Sequence, residues 1–122
     1  MKYMLLIYHN PETRKIWESF SDAERAEGLR AYAALNEDLA ASGELIVSQA
    51  LADPSLGKRI AVRNGRTLIT DGPFAEVKEH LAGFFLLECD SLERAIAQAA
   101  RIPEAELGQV EVRPIMVYSG LE

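Results

Sequence analysis

Apolar and polar positions change period several times along the chain, and each change predicts an element. From Lys2 to His9 both alternating sets are apolar, Met4, Leu6 and Tyr8 on one side and Tyr3, Leu5 and Ile7 on the other. A strand built this way needs cover on both faces and belongs in the middle of a sheet. The stretch "NPETRKIWESF" reads as a loop. Ser21 and Glu24 then stand at capping-box spacing, which predicts a helix to about Ser42 with Leu29, Tyr32, Ala33, Leu39 and Ala40 as its buried stripe and Gly43 as its stop. Leu45 to Leu51 predicts a second strand, ended by "ADPSLG".

In "KRIAVRNGRTLIT" the pair Asn64 and Gly65 lies between two alternating runs, the pattern of a two-residue hairpin whose turn needs positive φ at both positions. Arg63 then faces Arg66, and Ile60, Val62, Thr67 and Ile69 share a face. Leu81 to Cys89 is a second doubly apolar strand. Ser91 starts a helix with Leu92, Ala95, Ile96, Ala99 and Ala100 at helical spacing, and Pro103 lies beyond its end. The closing stretch "GQVEVRPIMVY" predicts a last strand with Val110, Val112, Met116 and Tyr118 on one face.

The order β-α-β, hairpin, β-α-β is that of a ferredoxin-like α+β sandwich with a hairpin inserted between its halves. Two helices cover only one face of such a sheet. The apolar second face of the first, penultimate and last strands therefore asks for a partner, and a homodimer with sheets face to face is the economical solution.

Composition narrows the function. At 122 residues the chain fits one domain over residues 1–122, and 48% hydrophobic with 26% charged residues is ordinary globular content. A formal net charge of -6 repels phosphate backbones, which disfavours direct nucleic-acid binding. The apolar start "MKYMLLIY" is too short for a signal core, and no run approaches the roughly 18 residues of a membrane span. Cys89 is the only cysteine, which fits a reducing cytoplasm and a small core residue. There is no Gly-rich phosphate loop, no G-x-S-x-G elbow and no cysteine pair at metal spacing; His9 and His80 are the only imidazoles, so no metal site and no organic cofactor is implied.

The candidate chemistry sits in "TDGPFAEVKEHLAGF", residues 70–84, where Asp71, Glu76, Lys78, Glu79 and His80 crowd the start of an apolar strand. If residues 73–80 form about two helical turns, Glu76 and His80 lie on one face as an acid/base pair. The alternative is a solvated connection. Arg113, beside Pro114 in an apolar strand, could receive a carboxylate from Asp71, Glu76, Glu79 or a substrate, or pair with Glu111. His9 could line the same cleft or cap its strand, and Trp17 could be a lid or pack on the helix.

The run "DGPFAEVKE", with "MKYMLLIY" before it and "AARIPEAELGQVEVRPI" after it, resembles the DGPF-domain proteins of the YCII-related family over nearly the whole chain. The resemblance implies a ferredoxin-like protomer of the dimeric α+β barrel type and a bacterial cytoplasmic protein. It further implies a family often encoded beside extracytoplasmic-function sigma factors. By position, the signature falls on Asp71, Gly72, Pro73, Phe74, Glu76, Lys78 and Glu79, with Glu111, Arg113 and Pro114. Val77 and the "LAGF" at 81–84 depart from the usual threonine and "LGGF". The wider family's His-Asp pair is associated with the first helix, where this chain has no histidine, so neither His9 nor His80 inherits a catalytic role.

Together these observations lead us to expect a dimeric, cofactor-free domain that handles a small polar molecule. Asp71 would orient the turn, Glu76 or Glu79 would be a base, and Lys78, Arg113, His80 and His9 would be ligand-binding candidates. A lyase, isomerase or oxygenase would need no more. The alternative is a non-enzymatic partner, for instance of a sigma factor.

Overall fold

A computed structural model describes residues 1–117, with strands β1 (Lys2–His9), β2 (Leu45–Ala50), β3 (Lys58–Arg63), β4 (Arg66–Asp71), β5 (His80–Glu88) and β6 (Val110–Pro114). Helices α1 (Pro11–Ser19), α2 (Asp22–Ala41) and α3 (Leu92–Ala99) join them, with short 3-10 turns at Pro54–Leu56 and Pro103–Leu107. The main sheet is antiparallel in the order β2-β5-β1-β6, while β3 and β4 form a separate two-stranded ribbon. This is the ferredoxin-like arrangement with an inserted hairpin. The doubly apolar strands β1 and β5 occupy the middle, and Pro114 lies on the edge strand β6, where a missing amide does least harm.

The core lies between the sheet and α2 and α3. Tyr3, Leu5 and Ile7 of β1 meet Phe85 and Leu87 of β5, and Leu35 and Leu39 of α2, Ala95 and Ala99 of α3 and Ile102 close over them. Cys89 belongs to this cluster, and burial pushes its thiol up from the ordinary value, which suits a small packing residue. The stripe on α2 differs from the expected one. It runs through Tyr32, Leu35, Asn36 and Leu39, while Leu29 is 65% exposed and Ala33 and Ala40 face outward. On α3, too, Leu92 and Ile96 are exposed; Ala95, Gln98 and Ala99 point inward. In both helices small alanines made the true face hard to read from spacing.

Two further corrections concern the connections. The expected loop after β1 is helix α1, opened by Asn10, whose side chain accepts from the Thr13 amide while the Asn10 amide donates to Thr13 Oγ1. Pro11 at its first position is preorganised for the helix. The segment 72–79, by contrast, is no helix. It holds a single turn, Val77 N–H to the Phe74 carbonyl at 3.1 Å, so Glu76 and His80 do not share a helical face. The last strand is shorter than expected and ends at Pro114, and Tyr118 lies outside the described residues.

The hairpin follows its sequence. Ile60 pairs with Ile69, Val62 with Thr67 and Arg63 with Arg66, across a turn with φ 51° at Asn64 and 75° at Gly65. Ile60, Val62 and Ile69 are nevertheless exposed, as the ribbon stands apart from the main sheet. On the helix-free face of that sheet, Met4, Phe84 and Leu86 are only half-buried around Leu6. Trp17 rests beside Gly28 of α2, with its ring 3.8 Å from where a Cβ would stand, and touches Phe20 and Arg25, so it packs on the helix rather than covering a cleft.

Candidate functional site

One end of the sheet gathers most of the candidate chemistry. The cause is a bulge in β5: Ile7 pairs with Gly83, but Tyr8 pairs with Leu81, leaving Ala82 as the extra residue. The alternation of β5 is thereby reversed, and His80 becomes the cross-strand partner of His9 on the helix-covered side. Gly83 permits this close passage, for a Cβ there would stand 2.9 Å from the Gln49 carbonyl oxygen.

On the helix-covered side His9 Nε2 lies 3.1 Å from Glu104 Oε2, and the Tyr32 hydroxyl donates to Glu104 Oε1. The Glu104 side chain is 15% exposed and that of His9 41%. Burial pushes the Glu104 carboxyl up, but hydrogen bonds from His9 and then Tyr32 outweigh it and hold the group below the ordinary glutamate value. Tyr32 is displaced upward, by burial first and then by its bond to Glu104, and so stays a phenol that donates. Its ring stacks on Phe85 with centroids 6.4 Å apart, which fixes the hydroxyl. An ionised Glu104 only accepts. A neutral His9 beside that acceptor carries its proton on Nε2, which leaves the lone pair on Nδ1.

On the opposite side of the sheet Tyr8 donates to Glu111 Oε1 at 2.8 Å, and Arg113 grips both oxygens of Glu111 at 2.8 to 3.0 Å. These contacts, from Tyr8 first and Arg113 second, hold Glu111 below the ordinary glutamate value. Of the alternatives open for Arg113, the ion pair with Glu111 is the one formed. Between the two sides stands Glu79. Its Oε1 accepts from Asn10 Nδ2 at 3.0 Å, and the Gln109 amide, oriented to satisfy both neighbours, donates to Oε2 at 2.9 Å and to the Tyr8 carbonyl at 3.1 Å. A cleft of about 320 Å³ opens here, lined by Tyr8, Glu79, Gln109 and Glu111. A second, of about 260 Å³, lies at the foot of the hairpin and shares Glu79 with it; His80, Leu81, Arg59 and Phe74 line it.

His9 and Arg113 line neither cleft, and the remaining candidates do not converge on them either. Asp71 pairs with Lys58 across the hairpin at 2.5 Å with its side chain 80% exposed, and the turn is fastened instead by the Gly72 amide on the Gly57 carbonyl at 2.8 Å. Glu76 and Lys78 are exposed and make no hydrogen bond or ion pair with another described residue. Tyr32 and Glu104 were not among the expected site residues. Tyr32 is read from spacing as core, and Glu104 sits in a helical turn whose position against β1 no local pattern reveals. Among the described residues no group of three or more His, Cys, Asp or Glu side chains is assembled to hold a metal ion.

The fold and this polar end define a ferredoxin-like α+β domain with ionisable groups held by neighbours at the mouth of the sheet. The chain belongs to the YCII-related domain family, whose model matches residues 1–119. It is 32% identical over 120 residues to "Uncharacterized protein R00369" of Rhizobium meliloti (strain 1021), covering 97% of this chain and 94% of that protein. It shares its fold with 5-chloro-2-hydroxyhydroquinone dehydrochlorinase (TftG) from Burkholderia phenoliruptrix AC1100, solved in complex with 2,5-dihydroxybenzoquinone. The TM-score is 0.52 at 15% identity, over 95% of this chain and 94% of that one. No helix among the described residues is long and apolar enough to cross a membrane.

Proposed function

We propose that the protein is a small-molecule enzyme of general acid–base type that works as a homodimer, with His9 as the base and Glu104 and Tyr32 as its positioning residues. The observation that carries this reading is the His9–Glu104–Tyr32 chain, in which one oxygen of a largely buried carboxylate holds His9 Nε2, the other accepts from Tyr32, and His9 Nδ1 has no partner among the described residues. His9 Nδ1 would take a proton from an acidic C–H or O–H of a small polar compound, and Glu104 would stabilise the imidazolium that forms. Return of that proton to another carbon completes an isomerisation; its delivery to a leaving group completes an elimination. Glu79, common to both clefts and held in place by the side-chain amides of Asn10 and Gln109, would border the bound substrate. A fold shared with an enzyme named for dechlorinating a hydroxylated ring supports a small polar substrate in class only.

The finer assignment, to the DGPF members of the family, rests on the run Asp71 to Phe74 and its continuation to Glu79. Homodimerisation is supported by the half-buried Met4, Phe84 and Leu86 around Leu6, with the self-complementary pair Glu111 and Arg113 beside them. Sedimentation at micromolar concentration should give twice the chain mass, and Leu86→Arg should return a folded monomer; a wild-type monomer removes the dimer from the account.

The test of the chemistry is solvent deuterium incorporation, followed by NMR, into a panel of enolisable ketones, keto acids and hydroxylated aromatic compounds. Wild-type protein should accelerate exchange in at least one class, and His9→Gln should abolish it. No acceleration above buffer across the panel, or equal rates for the variant, contradicts the assignment.

A further inference from the structure

The cleft at the foot of the hairpin is lined by a cation whose side chain no other described residue engages by hydrogen bond or ion pair. Arg59 of β3 stacks over Phe74 with its guanidinium carbon 5.1 Å from the ring centroid. Its Nε is buried and has no hydrogen-bond partner among the described residues. Arg14, Arg25, Arg94, Arg101 and Arg113 all donate to a carboxylate or carbonyl. Arg30, Arg63 and Arg66 are exposed to water. Arg59 is the one described arginine that is partly buried and donates to no described residue. The Nε–H is covered by protein, so a molecule in the cleft would meet the outer Nη groups of the guanidinium, which donate to no described residue and whose fork suits an anion.

Nearby charges do not supply one. Lys58 is occupied with Asp71, and Glu79, which lines the same cleft, has its two oxygens turned to Asn10 and Gln109. His80, the cross-strand partner of His9, lines the cleft on the sheet side. At about 260 Å³ the space lies just below the roughly 300–1,000 Å³ of drug-sized pockets, a size that suits a small ring or short chain.

We propose that this cleft binds the carboxylate of a small organic acid, with Arg59 as the anion-binding residue and Phe74 as the platform that holds its guanidinium. A planar two-oxygen anion matches the donor fork of a guanidinium, and the ring contact keeps that fork from swinging into water. The assignment also gives Phe74 of the DGPF run a physical task, and it moves anion binding from Lys78 and Arg113 to a residue outside the run. It rests on the acid–base reading only for what happens to the bound acid next, since His80 joins the cleft to His9.

The experiment is titration of the intact protein with benzoate and with benzamide, its neutral isostere, at constant ionic strength, followed by isothermal calorimetry and by the Arg Nε–H signals in a nitrogen-15 spectrum. Benzoate should bind about tenfold or more tightly than benzamide and shift the Arg59 signal. Arg59→Gln should abolish the preference at unchanged thermal midpoint, and Arg59→Lys should weaken it by losing the fork. Arg113→Gln should bind as wild type. Because His9→Gln should retain benzoate, loss of exchange chemistry in that variant leaves this site standing, and the two claims fail separately. Equal affinity for the two probes, no binding at millimolar benzoate, or unchanged preference in Arg59→Gln overturns it.

Discussion

The two ends of the central strand β1 handle charge in opposite ways. At its start, Glu44 receives both Arg94 Nε and Nη2, at 3.0 and 2.7 Å, and the Ser42 hydroxyl at 2.7 Å, while the Glu44 carbonyl anchors the Glu88 amide. The partners shown use up the carboxylate, and with Arg94 first and Ser42 next they hold it down at about 2. At the far end, Glu104 is equally satisfied, but the second ring nitrogen of its partner His9 has no partner among the described residues. A saturated cluster fastens a fold, whereas a cluster that fixes a group and leaves part of it unused is equipped for chemistry.

The largest effect expected from breaking this contrast is at His9. His9→Gln should lower turnover of any substrate found by about 10²–10⁴-fold, the usual worth of a general base, with little change in thermal midpoint. An equal loss from Glu44→Gln would erase the distinction between the ends. Next comes Gly83→Ala. It forces a methyl to within 2.9 Å of the Gln49 carbonyl oxygen and should destabilise by about 1–3 kcal/mol in denaturant melts, with His9 losing its register against His80.

A finer cut falls on Asn10, whose side-chain oxygen caps α1 while its amide holds Glu79. Asn10→Asp keeps the cap, which is worth about 1 kcal/mol, yet sets a second carboxylate against Glu79. Stability near pH 7 should fall slightly in denaturant melts, and added salt, which screens the two carboxylates, should recover part of the loss. Smallest is the pH response of the Glu44 end. Because the folded group titrates near 2 and the unfolded one at its ordinary value, the stabilisation is complete above the unfolded value and disappears as pH falls towards 2. Glu44→Gln should therefore cost at most about 1 kcal/mol at pH 7, and the gap to wild type should close near pH 2.

Much of the fold was legible because its elements bury regular faces. Strand β1, the hairpin with Asn64 and Gly65, and the cap at Ser21 all follow from local pattern. Helix α1 escaped because it is short and buries none of its residues, although Asn10, Pro11 and Thr13 spelled its start and Ile16, Trp17 and Phe20 stand at helical spacing. The candidate site was legible only in part. Glu79 and His80 line the clefts as expected, but His9, Glu76, Lys78 and Arg113 stay outside both. The bulge at Ala82 that pairs His80 with His9, and the turn that brings Glu104 to Tyr32, are tertiary facts with no signature in their own stretches.

The most direct test of the account is the protonation state of the His9 ring. Nitrogen-15 spectra at a pH where the ring is neutral, with His80→Gln to assign the signals, should show a proton on Nε2 and a bare Nδ1, and Glu104→Gln should weaken that preference. A neutral His9 protonated on Nδ1, or a ring indifferent to the change at Glu104, would contradict the claim that this end of the sheet is built around an oriented base.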